Sequence, residues 1–107
     1  MDTTIDLLIR RDLPAARTGD HAAYGRIVAA CQNTVTAIAL AITRDVPSSE
    51  DIAQDAFLSA WRRLPEFQGR AAFGTWMYRI VTNRCLNVLR ARRPVAPLEA
   101  AGEDQRD

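Results

Sequence analysis

The chain has 107 residues, with 14 basic and 13 acidic side chains, a formal charge of +1, and 48% hydrophobic against 25% charged residues. One globular domain with enough apolar surface for a single core is expected from these 107 residues, and a second domain within them is not. The longest unbroken apolar run, Ala37 to Ile42, falls far short of the roughly 20 residues of a membrane span, and Met1-Asp-Thr-Thr-Ile-Asp lacks the basic start of a secretory signal, so a cytoplasmic protein is expected.

Along the chain the pattern is helical almost throughout. Asp12-Leu13-Pro14 reads as an N-cap with Pro in the first turn, opening a short helix that stops at Gly19; residues 4–11 read as a separate turn or a frayed lead-in. From Asp20, a good N-cap, apolar residues at Tyr24, Ile27, Val28, Cys31, Val35, Ile38 and Ile42 form one stripe of a long amphipathic helix that ends near Asp45-Val46-Pro47. Ser48 then offers an N-cap with Glu50 and Asp51 in the first turn, and Ile52, Ala53, Ala56, Phe57, Ala60, Trp61 and Leu64 line the core face before Pro65. Residues 66–72, with Gly69, read as a loop. A last helix is predicted from about Ala71 to Arg93, with Phe73, Trp76, Met77, Ile80, Val81 and Val88 facing inward. Pro94 and Pro97 end regular structure. The expected fold is all-α: a compact bundle of three main helices plus a short N-terminal helix. Residues 1–12 are expected as a lead-in, 13–93 as the helical domain, and 94–107 as the start of a flexible linker.

The near-zero net charge conceals a division. Residues 70–93 carry six Arg and no acid, while the remainder holds 8 Arg against 13 acids, so the segment is +6 and the rest −5. All 14 basic residues are Arg, a bias that matches a GC-rich bacterial composition and also supplies guanidinium forks for planar contacts. Arg79, Asn83, Asn87 and Arg90 follow at steps of four, four and three, which stacks them on one helix face. Such a face is either ordinary solvated surface or a polyanion contact, and the uncompensated charge favours the latter.

Opposite the core stripe of the third helix lie Asp51, Gln54, Asp55, Leu58 and Arg62. Leu58 stands in the middle of a polar face, next to Trp61 at the border of the stripe. It is either a single exposed Leu or the anchor for a partner helix with basic residues on its rim.

These residues carry a resemblance. Asp51-Ile-Ala-Gln-Asp-Ala-Phe-Leu-Ser-Ala-Trp-Arg-Arg-Leu, then Phe67-Gln-Gly, then Phe73-Gly-Thr-Trp-Met-Tyr-Arg-Ile-Val-Thr-Asn, resembles region 2 of bacterial extracytoplasmic-function sigma factors of the sigma-70 family. The likeness covers about residues 13–94 and begins with Thr18-Gly-Asp-His-Ala-Ala-Tyr, similar to the family's turn between its first two helices. It implies that Asp51, Gln54, Asp55, Leu58 and Trp61 bind the β′ clamp helices of RNA polymerase core. It implies also that the last helix and the loop before it recognise the minus-ten promoter element. The loop residues Phe67, Gln68, Gly69, Arg70 and Ala71 match the segment that cups a flipped non-template base, Asn83 matches an Asn beside that pocket, and Arg79, Arg84, Asn87 and Arg90 would hold phosphates. An anti-sigma factor is a further partner the resemblance implies. Region 4, the second domain of full-length members, is not seen after Asp107, so a piece of a longer protein is expected.

The alternative is an interaction module that binds an anti-sigma factor or β′ without sequence-specific DNA recognition. Neither Cys31 nor Cys85 sits in a CxxC pair, and His21 is the one histidine. With no paired-carboxylate constellation and no Gly-rich phosphate loop, no cofactor, metal or enzymatic activity is expected. Trp76 reads as core, and Tyr78 as either core or surface.

Overall fold

The computed structural model describes residues 3–69 and 72–92. They form α1 at Thr3–Arg17, α2 at His21–Thr43, α3 at Val46–Arg63 and α4 at Phe73–Ala91, with a 3-10 turn at Leu64–Glu66. No strand occurs among the described residues, and the all-α expectation holds.

α2 is the hub, packed against α1, α3 and α4, while α3 also packs on α4. Its length and composition alone would suffice to cross a membrane. In this fold it instead buries Ala23, Ile27, Val35 and Ala39 at steps of four, eight and four, one helical face, against the three helices around it. α3 contributes Ile52, Ala53, Ala56, Phe57 and Ala60, and α4 contributes Phe73, Met77, Ile80, Val81 and Cys85. The alanines at 23, 39, 56 and 60 are fully buried and let the helices approach closely around the larger Ile27, Val81 and Leu64.

The N-terminal helix differs from expectation. α1 is one helix of 15 residues with Pro14 inside it, so residues 3–12 are helical and Asp12 is not its cap. Pro14 sits on the exposed side, and lacking an N–H it leaves the carbonyl of residue 10 without its helical donor. The Asp12 carboxylate, rather than capping, turns inward: it accepts from Arg26 Nε and Nη2 of α2, each at 3.0 Å, and from Arg11 Nη2 at 3.2 Å. Gly19 then takes φ +103 in the α1–α2 turn, a conformation open to glycine and to few other residues. The Asp20 carboxylate caps α2 by accepting from Ala23 N, as predicted.

The α2–α3 junction also differs. α2 closes at Thr43, with Arg44 left-handed at φ 57 and its N–H donating to Leu40 O. The cap of α3 is Asp45, not Ser48: its carboxylate accepts from Ser48 N at 3.0 Å. Pro47 lies in the first turn, where no N–H is needed. The Ser49 hydroxyl donates to Val46 O at 2.7 Å and is buried. Arg92, the C-cap of α4, returns to this junction, donating to Thr43 O, Asp45 Oδ2 and Ser48 Oγ.

Candidate functional site

The segment leading into α4 is built on an aromatic floor. Phe67 is 6% exposed, with its ring edge-on to Phe73 at 6.1 Å and tilted against Trp76 at 5.0 Å. Trp76 is half-buried in this cluster, as expected of a core residue. Phe67, one of the residues the resemblance assigns to DNA contact, has its side chain packed in this cluster. Gln68 and Gly69 lie exposed above it, and Gly69 takes φ +74 with no heavy atom within 4 Å of where a Cβ would sit. The requirement for glycine there is conformational, not steric. Arg70 and Ala71 lie outside the described residues.

From this floor α4 carries Arg79, Asn83, Asn87 and Arg90 outward, all exposed, with Arg84 half-buried beside them. No acid occurs in the helix. The Asn87 carbonyl oxygen accepts from Arg90 Nη1 at 3.3 Å, while the Thr82 hydroxyl donates to Tyr78 O and Arg79 O and so turns away from the face. Tyr78 is surface, 52% exposed. The stripe presents guanidinium forks and primary amides, which bind phosphates and the edges of unpaired bases.

A second feature lies between α2 and α3: an open groove of about 1040 Å³. Of the α3 residues singled out above, Asp51, Gln54, Leu58 and Trp61 line it together, and Leu58 is 50% exposed. Asp55 is exposed but outside the lining. Across the groove stand Gln32, Asn33, Thr36 and Leu40 of α2, which the sequence did not reveal, over a floor of Val28, Ala53 and Phe57. One end is closed by Trp61, against which His21 packs at 4.8 Å and Tyr24 at 4.9 Å. The Tyr24 hydroxyl donates to Phe57 O at 2.5 Å, and burial, reinforced by Cys31, pushes its pKa well above the ordinary phenol value. Burial likewise raises the Cys31 and Cys85 thiols, so both are thiols rather than thiolates at neutral pH. Glu50 and Asp51 line the groove and no Arg does, which makes it apolar with an acidic rim.

A helical bundle whose acidic third helix is followed by a glycine turn and a basic, amide-bearing last helix is of the sigma-factor region 2 class. The family model described as Sigma-70 region 2 matches residues 27–95, and the chain belongs to that family. It is 56% identical over 90 residues to the probable RNA polymerase sigma factor RfaY of Xanthomonas campestris pv. campestris, covering 84% of this chain and 22% of the relative. It is 41% identical over 80 residues to the ECF RNA polymerase sigma-E factor of Escherichia coli K12, covering 71% of this chain and 40% of the relative. The chain thus spans less than half the length of these two relatives. Among solved structures, it is similar to an engineered region 2 of sigmaE in complex with GTAAAA, with TM-score 0.69 and 29% identity over 86% of this chain and 94% of the other.

Proposed function

We propose that this chain is the promoter-specificity domain of an alternative RNA polymerase sigma factor, which captures a flipped non-template base of the minus-ten element and docks on the β′ clamp helices. The observation that carries this reading is the acid-free stripe of Arg79, Asn83, Asn87 and Arg90, which runs out from the glycine turn at Gly69. A similar fold in complex with GTAAAA supports it.

Extruding a base costs a few kcal/mol, offset by stacking and by hydrogen bonds to the Watson–Crick edge that melting exposes. The backbone around Gly69, free of a side chain, offers N–H and C=O groups to that edge, and the Asn83 amide donates and accepts at once. Arg79, Arg84 and Arg90 supply affinity and register through phosphates. This division needs no hydrolytic group; the polymerase performs the chemistry, in the cytoplasm.

The α2–α3 groove suits a partner helix with apolar residues and a basic rim. Leu58 would be desolvated between them while Asp51 and Asp55 meet Arg or Lys. An anti-sigma factor covering either face would silence the domain.

The test is anisotropy of labelled single strands. The chain should bind a matching non-template strand more tightly than duplex or a scrambled strand, and Asn83→Ala should weaken the matching strand by about 1–3 kcal/mol while leaving the scrambled one unchanged. Equal affinity for all sequences would rule out base capture. For the groove, Asp55→Arg with Leu58→Ala should abolish polymerase pull-down with the circular dichroism spectrum intact; retained binding would contradict docking there.

A further inference from the structure

We infer that the outer face of α1 is a second phosphate-contacting surface, on which Arg17 and Arg10 hold the non-template strand as it leaves the base-capture loop. The inference rests on the reading of that loop given above.

Leu7, Arg10, Arg11, Pro14 and Arg17 recur at steps of three, one, three and three and are all exposed, so they share one face of α1. The opposite face, with Ile9, Asp12 and Ala16, is buried. Arg17 carries the link to the candidate site: its guanidinium carbon lies 5.9 Å from the centroid of the Phe67 ring. That ring is the floor of the loop and touches Phe73 and Trp76 of α4. The α1 face and the start of α4 therefore meet at one aromatic surface, and a strand laid on the loop has Arg17 beside it.

Two of the three guanidinium charges of this face are unpaired: among the described residues neither Arg10 nor Arg17 has a carboxylate within ion-pair distance, Asp20 and Glu66 included. Arg11 leans on Asp12 at 3.2 Å, but that carboxylate is already held by Arg26 at 3.0 Å. Asp6, the other acid of α1, lies four residues before Arg10 and makes no ion pair with it among the described residues. A guanidinium resting over a ring keeps its N–H edges for an anion, and a phosphate accepts that fork in bidentate fashion. Seven residues of helix separate Arg10 from Arg17 by about 10 Å along the axis, more than one nucleotide step, so the two would meet different phosphates of one strand. Contacts of this kind give affinity without sequence choice.

The experiment uses the whole 107-residue chain and labelled single strands, matching and scrambled, over a salt series. Arg10→Gln and Arg17→Gln should each weaken both strands by the same several-fold factor and lower the slope of log K against log salt by about 0.7, whereas Arg17→Lys keeps the slope. Trimming the strand beyond the element should erase these differences at one end and not at the other. Arg10 has no described side-chain partner to lose, so it decides the matter even if Arg17→Gln disturbs Phe67. Unchanged slopes in both Gln variants, with Asn83→Ala still weakening the matching strand, overturn the α1 surface and leave base capture standing. A wild-type chain that binds both strands equally overturns base capture alone, and the variant slopes still decide the α1 surface.

Discussion

Asp12 shows how one carboxylate couples fold and pH. Hydrogen bonds from Arg26 and then Arg11 outweigh burial and hold its pKa at about 2, below the ordinary 3.8. Because the folded value is the lower, the contribution of this pair is fully present above about pH 4 and is lost as pH falls through about 2. Asp12→Asn should therefore lower stability at pH 7 and flatten its decline between pH 4 and 2, measured as urea midpoints across a pH series. Tyr24 tests a different bond. Tyr24→Phe removes the donor to Phe57 O while that carbonyl keeps its place in the α3 ladder, so the loss should be about 1 kcal/mol. Thermal unfolding should then shift down by about 4–8 °C.

At the scale of elements, α2 carries the bundle. Ile27 is fully buried in the core face of α2, so Ile27→Ala should cost about 2–5 kcal/mol, read from denaturant unfolding. That stripe was legible because helical period alone dictates which residues face inward, as it does for Phe57 in α3 and Met77 in α4. The start of α2 at Asp20 was legible too, but two other starts were not: Asp12 before Leu13-Pro14 has the chemistry of a cap but is bound by Arg26, and Ser48 resembles a cap where Asp45 performs the role. The candidate site divides in the same way. The α4 stripe and Leu58 could be read from local spacing, whereas Gln32, Asn33 and Thr36 look like ordinary helix surface until α3 is laid across from them. Contacts between distant residues, such as Arg17 over Phe67 or Arg92 at Ser48, leave no local pattern to read. Arg92 ties the end of α4 to the α2–α3 junction through a largely solvated cluster. Arg92→Ala should leave the global unfolding midpoint nearly unchanged and speed amide exchange in the last turn of α4.

For the whole molecule, the formal +1 is the sum of a +6 segment at residues 70–93 and a −5 remainder. Among the described residues the groove lining and the α4 stripe have no side chain in common, and their elements meet through the packed interiors of α2, α3 and α4 and through Arg92 at the α2–α3 junction. If the two surfaces work independently, their variants combine additively within about 0.5 kcal/mol. Asp55→Arg with Leu58→Ala should lose polymerase core and keep strand affinity, while Asn83→Ala should do the reverse. At low salt the added Arg would raise strand affinity by simple attraction, so the comparison belongs at 0.15 M, where screening reduces the range of exposed charges to about 8 Å. The combined variant should show the sum of the separate losses in gel shifts with core and with promoter strand. A coupling well above that limit would mean that occupancy of the groove alters α4 through the α3–α4 packing, and that polymerase docking prepares the DNA-reading face rather than merely delivering it.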